Sequence, residues 1–348
     1  MNSIKKVMGI IFAALFVLTA VPALVFFNFD RRAFTAETYQ TAFVNIDFYN
    51  KLPIIMAQAA ISPNSSLSQD TPMLMQGMNQ STWETFFRAL LPPEDLKKIG
   101  MDLLDSTFAY LNMQSDTVQL SLAPIKTRMA GDAGVQSVFA ILNTLPECTM
   151  EQLAHMMFDA ISGKDQVQYC KFPEKYNAQL SIIIHEQMSA AASTLPDQMT
   201  LVSNPTSSEN NSRIKLKYTR ITMRLSPILP LVFLLLMTVL TANSLKNWLK
   251  WWSLPLFITG FLASLVGLVG TPIFGEFFKQ FFVNDMPEYL QKYANELVSV
   301  VLKALFAPIF WQGLIIAFIG LTMAVSAYFI SRNQKPTDIS SQINQPTA

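Results

Sequence analysis

The sequence predicts a mainly α fold: a four-helix multi-pass membrane protein with a large, mostly helical extracytoplasmic domain between helices 1 and 2. Three observations predict it. Residues 225–245 (LSPILPLVFLLLMTVLTANSL) carry no charge, and a helix of roughly 20 apolar residues matches a hydrocarbon core about 30 Å thick. Further apolar runs at 7–27, 254–274 and 308–330 repeat the pattern, and backbone in lipid must satisfy its own hydrogen bonds, which selects helices. Only 14% of the 348 residues are charged and 51% are hydrophobic, where a soluble domain is about 25% charged.

The first segment, residues 1–28, is an N-terminal transmembrane anchor. Lys5 and Lys6 precede its apolar run, as in a signal peptide. A signal core is shorter, about 7–15 residues, and a small-x-small cleavage site follows it. Here the run ends in Leu24-Val25-Phe26-Phe27, so it is expected to stay uncleaved.

Residues 29–212 turn polar and helix-like. Trp83, Phe86, Phe87, Leu90 and Leu91 recur at the spacing of a one-faced helix. Ser81 and Glu84 stand at capping-box spacing before it. Pro92-Pro93 ends that helix and opens another, with Leu96, Ile99, Leu103, Phe108 and Leu111 inward. Residues 117–122 alternate as a short strand. Gly131 and Gly134 bracket a turn, and Val135, Val138, Phe139 and Leu142 form the next stripe. Thr149 and Gln152 again have capping-box spacing and lead a helix over 150–161, with Leu153, Met156, Met157 and Ile161. Pro173 opens a last helix with Tyr176, Leu180, Ile183 and Ile184. Residues 203–212 (SNPTSSENNS) are a linker by composition.

Residues 213–330 form a basic lead-in and a three-helix transmembrane domain. Arg213, Lys215, Lys217, Arg220 and Arg224 run into the second span. Residues 243–252 (NSLKNWLKWW) read as a short turn with an interfacial Trp–Lys belt. Gly270-Thr271-Pro272 breaks the third run at its end. Residues 275–306 are amphipathic, an outer segment that rests on the membrane surface or packs under the large domain. Residues 331–348 form a polar tail, expected to be disordered and cytoplasmic.

Small residues mark helix packing. Gly260, Ser264, Gly267 and Gly270 share one face of the third helix; Gly313, Ala317, Gly320, Ala324 and Ala327 share one face of the fourth. Small faces let helix backbones approach closely in lipid. They serve packing within the chain or a homodimer seam.

The chain has two cysteines, Cys148 and Cys170, both outside the apolar runs. In an extracytoplasmic domain they form a disulfide; two buried free thiols are the alternative. Orientation follows the basic residues. With both termini cytoplasmic, Lys5, Lys6, Lys246, Lys250, Arg332 and Lys335 lie inside, as the positive-inside bias requires. Arg31, Arg32 and the basic lead-in then lie outside, against the bias, although long translocated loops largely escape it.

Candidate chemistry is sparse. The interiors of the apolar runs hold no Asp, Glu, Lys, Arg or His, the residues ion and proton pathways normally use. His185-Glu186 begins like a zincin motif, but position 189 is Ser. Nucleophile-elbow and phosphate-loop motifs do not occur. Glu94, Asp95, Asp102 and Asp105 sit on helix surfaces, and His155 and His185 read as core-edge residues. Met73, Met75 and Met78 are soft ligands of the kind that suits Cu(I), but Met is also a pliable core filler, and filler is the preferred reading. The sequons at Asn64, Asn79 and Asn210 are of the kind that arises by chance in polar loops. No catalytic, cofactor-binding or metal residues are assigned. A net charge of +1 gives no basic face for nucleic acid.

Several stretches taken together resemble a family of uncharacterised bacterial integral membrane proteins. They are LPP at the end of the Trp83-led helix, LPECT at 145–149 with a later Cys, and RLSP at 224–227 followed by SLKNWLKWW at 244–252. The resemblance implies an anchor, an outer domain and a three-helix membrane block, and carries no activity or site residues. The order of spans is also similar, in topology alone, to permease subunits. The expected function is a non-catalytic envelope protein of the cell membrane whose outer domain binds a partner or ligand. The lipid bilayer is its first partner, and a protein partner or a homodimer through the membrane helices its second. The alternative is the membrane subunit of a permease or channel complex.

Overall fold

The computed structural model describes residues 3–62, 78–152, 170–203, 212–241 and 244–333. The chain is mainly α and divides into two compact units. One is formed by residues 1–34, 214–277 and 301–348, the other by residues 35–213 and 278–300.

The first unit holds the apolar helices. Helix α1 is Ser3–Ala33. Helices α9 (Ser212–Leu225) and α10 (Ile228–Thr241) follow one another across Ser226-Pro227, and α11 is Leu245–Phe278. The last helix, α12, is Glu288–Asn333. Four helical stretches among the described residues are long and apolar enough to cross a membrane: Ile4–Ala33, Arg213–Thr241, Leu245–Val283 and Glu288–Arg332. Their apolar side chains are widely exposed, Leu18, Val239, Leu268 and Phe318 among them, a surface that calls for lipid rather than water.

All four stretches outrun the apolar runs, and two expectations are corrected. The Trp-rich stretch is not a turn: residues 245–252 already belong to α11, with Ser244 Oγ accepting from Asn247 N. Gly270-Thr271-Pro272 does not end the third span, because α11 continues to Phe278 and passes into a π-helical turn, Lys279–Val283. The proline is tolerated because a membrane helix can re-satisfy freed backbone groups locally. Residues 275–306 do not form one element. They comprise the end of α11, the π turn and the start of α12, which runs through Pro308 without a break. Residues 278–300 cluster with the second unit, where Glu296 pairs with Lys51 at 3.1 Å.

Within the first unit, α1 and α10 run antiparallel. Phe16, Ala20, Leu234 and Met237 are buried between them, with Phe12, Phe233 and Trp252 against that core. Trp252 Nε1 donates to Thr238 Oγ1 at 2.9 Å.

The second unit begins with α2 (Ala36–Asn45) and α3 (Phe48–Ile61). Helices α4 (Gln80–Leu90), α5 (Pro93–Leu111), α6 (Ala123–Met129) and α7 (Asp132–Leu142) follow. After a 3-10 turn, Glu174–Tyr176, comes α8 (Asn177–Thr194). The predicted Trp83 stripe forms the core: Trp83, Phe86, Phe87, Leu90 and Leu91 pack with Tyr49, Ala57 and Ile141. Trp83 and Phe87 stack with ring centroids 5.4 Å apart.

Local details differ from the sequence reading. The α4 cap is Asn79, whose side chain accepts from Thr82 N; Glu84 instead pairs with Arg88 one turn on. The helix begins at Gln80, two residues before the spacing predicts, so Asn79 rather than Ser81 occupies the cap position. On α5, Leu96, Ile99 and Phe108 are buried as expected, while Leu103 and Leu111 are half-buried. Gly131 caps α7 and Gly134 lies inside it, because a Cβ at 134 would overlap the carbonyl of Met129. The buried stripe of α7 is accordingly Gly134, Val135, Ser137 and Ile141, rotated from the predicted one. Tyr176, in the 3-10 turn, and Ile183, on α8, are exposed, and on α8 only Ala192 is fully buried. The strand at Thr117–Ser121 (β1) pairs antiparallel with Gln198–Ser203 (β2) in a two-stranded sheet. Sequence reading placed β1 but not β2. Residues 150–152 are helical; the rest of the helix predicted over 150–161 with its stripe, the 204–211 part of the linker and the tail beyond 333 lie outside the described residues.

Candidate functional site

Cys148 and Cys170 are joined in a disulfide, with Cα atoms 4.9 Å apart. Backbone bonds clamp both ends: Cys148 N donates to Lys171 O at 3.0 Å and Lys171 N to Pro146 O at 2.8 Å. Just after it, Thr149 N donates to Gln152 Oε1 while Gln152 N donates to Thr149 Oγ1, the reciprocal capping box the spacing predicts.

The small faces of α11 and α12 meet each other within the chain. A Cβ on Gly260 would overlap Ala317 N; one on Gly267 would stand 2.5 Å from Phe310 N, and one on Gly313 2.6 Å from Ser264 N. One on Gly320 would stand 2.5 Å from Phe257 N. Ser264 Oγ donates to Phe310 O at 3.3 Å. Ala324 is exposed, one turn beyond this contact.

The remaining candidates are scattered. His185 is exposed on α8. Asp95 pairs with Arg128 at 2.6 Å, and Asp105 accepts from Gln40 at 2.9 Å. Met78 packs against the Trp83 core; Met73 and Met75, like Asn64, Asn210 and His155, lie outside the described residues. Among the described residues no cluster of His, Cys, Asp and Glu is placed to hold a metal.

Two features stand out. The first, in the second unit, is β2. All six of its residues are exposed, including Met199, Leu201 and Val202. Its partner β1 is anchored behind, with Val118 buried and Gln119 N donating to Ser106 Oγ on α5. No other strand among the described residues lies along β2, so one strand edge presents unpaired backbone groups.

The second, in the first unit, is a polar cluster that sequence reading missed. Asp30, only 3% exposed, takes Arg220 Nε at 3.0 Å on one oxygen and Arg224 Nε at 3.2 Å on the other. Arg220 also lies over the ring of Phe34, 4.6 Å from its centroid. One helical turn or less away, the Asn28 and Gln312 amides exchange hydrogen bonds of 2.8 and 3.2 Å. Beside the cluster lies a cavity of about 680 Å³ walled by α1, α10, α11 and α12. Its lining is apolar apart from Arg224, Gln312 and Thr259. The signal available in the sequence was Asp30 itself, the lone acid at the end of the first apolar run, followed by a basic stretch on the next span.

No family model, curated protein or solved structure matches the chain.

Proposed function

We propose that the chain is a non-catalytic bacterial envelope protein, multi-pass in the cell membrane, whose large helical domain lies outside and binds a protein partner. Both termini are then cytoplasmic. An even number of spans and a disulfide in the large domain support this placement. The observation that carries the binding role is β2, a fully exposed strand with apolar side chains on an anchored two-stranded sheet. An extended polypeptide adds to such an edge through main-chain hydrogen bonds, with alternate side chains giving specificity.

The test is a photo-crosslinking side chain placed at Leu201 in the full chain, activated in native membranes. A discrete adduct, lost when Met199→Lys is added, is expected. Absence of any protein adduct from Leu201 overturns the reading. The runner-up is the membrane subunit of a permease or channel, favoured by the polar Asn28–Gln312 pair among the apolar helices. An ATPase that co-purifies in fixed ratio would put it first.

A further inference from the structure

The cavity of the first unit has a lipid's own polarity. Phe16, Leu24, Leu231, Leu256 and Ile315 line it, and Arg224 stands among the lining residues at the Asp30 end. From Phe16 to Phe27 the α1 wall rises about 16 Å, a depth suited to an acyl chain. Thr259 lies in the wall, 1% exposed, and its hydroxyl has no hydrogen-bond partner, whereas Thr19, Thr238 and Thr241 all bond back to their own helices. That hydroxyl is therefore buried in the wall uncompensated.

The Asp30 end carries arginines. Asp30 supplies one carboxylate to two guanidiniums. Arg224 reaches it only through Nε, and its side chain is 67% exposed, so its two terminal amino groups are free to bind an anion. Arg31 adds a third guanidinium, lying 4.9 Å over the ring of Phe27, itself a wall residue. Arg224 and Arg31 thus both offer guanidiniums beside the cavity, and Arg presents planar donors to phosphate oxygens.

We propose that this cavity binds one anionic phospholipid, an acyl chain between α1 and α12 and the phosphate on Arg224. A zwitterionic lipid brings an ammonium group beside the same two guanidiniums, Arg224 and Arg31, and is disfavoured. Each cationic side chain near a membrane surface strengthens attraction to anionic lipid by about fivefold.

The test uses the full chain in phosphatidylcholine nanodiscs doped with chain-matched phosphatidylglycerol or phosphatidylcholine, each carrying a diazirine in one acyl chain. Labelling maps to peptides containing Leu24, Leu256 and Ile315, and phosphatidylglycerol is expected to label them about fivefold more. Arg224→Gln is expected to remove that preference and Arg224→Lys to retain most of it. Ile315→Trp, at an exposed wall position that leaves the fold intact, is expected to suppress labelling by both probes. Equal labelling by the two lipids, a preference that survives Arg224→Gln, or labelling unchanged by Ile315→Trp overturns the proposal and leaves only annular lipid. The outcome is independent of anything found at β2.

Discussion

Asp30 shows how burial ranks charges that look alike in sequence. Its two arginines sit one helical turn apart on α9, yet Arg220 is 17% exposed and Arg224 67%. Exposed ion pairs contribute about 0–1 kcal/mol, while removing one partner of a buried pair costs about 3–5 kcal/mol. Arg220→Gln is therefore expected to destabilise by about 2–4 kcal/mol and Arg224→Gln by less than about 1 kcal/mol, read as thermal midpoints of the full chain in detergent. Equal losses would show that burial does not set the order. The arginines were legible as a basic lead-in. Their partner was not, because Asp30 falls just past the apolar run and its neighbours Arg31 and Arg32 mask it in any local charge count. Tyr49 gives a second expectation at this scale. Its hydroxyl is buried without a partner, and burial raises its pKa, as it does that of Tyr39. The folded state thus favours the neutral phenols. Their contribution is complete below the ordinary tyrosine value near 10 and is lost as pH rises through the raised folded values. Tyr49→Phe is expected to stabilise by about 1 kcal/mol at neutral pH and to flatten the loss of stability above about pH 10, followed by circular dichroism of the full chain.

Among the elements, small residues were easier to read than prolines. The spacing of Gly260, Ser264 and Gly267 and of Gly313, Ala317 and Gly320 declares two close-packing faces, and those faces meet each other. What spacing does not carry is which other face they meet, since lipid supplies no hydrophobic drive to choose one. Prolines misled because soluble-helix rules overstate their breaking power. Pro272 and Pro308 both lie inside continuous helices. Strand β2 escaped notice because Met199, Leu201 and Val202 stand beside a linker composition and face outward, so no burial pattern marks them. The α11–α12 contact carries a paired expectation. Gly260→Ala places a methyl group against the backbone of Ala317, whereas at Gly275 the nearest atom to a new Cβ is Leu302 Cδ1 at 3.9 Å. Gly260→Ala is expected to lower the melting temperature of the full chain. Gly275→Ala is expected to raise it slightly, with helix propensity worth about 0.5–1 kcal/mol. A rise for both would mean that α11 and α12 are not held at contact.

At the scale of the whole molecule, hydropathy located the four long apolar helices. The unit boundary near 278–300 was not legible, because an amphipathic stretch looks the same whether lipid or protein covers it. The contact that decides, Lys51 with Glu296, joins residues far apart in the chain. Orientation is the remaining global property, and one expectation addresses it. In the proposed topology all four candidate spans cross, which puts both termini on one side of the membrane. The proposed side is the cytoplasm, which leaves Cys148 and Cys170 in an oxidising compartment, where their bond persists. Closing a loop of this size stabilises by about 3 kcal/mol on the chain-entropy estimate, so the variant with both cysteines changed to serine is expected to fold with a lower melting temperature. That variant also frees the chain of native thiols. Single cysteines at Ser193, exposed on α8, and at Ser331, exposed at the end of α12, then report the two sides separately. A membrane-impermeant maleimide is expected to label position 193 in intact cells and position 331 only after permeabilisation. The reverse pattern would place the large domain in the cytoplasm. The native cysteines would then be found reduced when thiols are blocked at lysis, and the partner sought through β2 would have to be a cytoplasmic one.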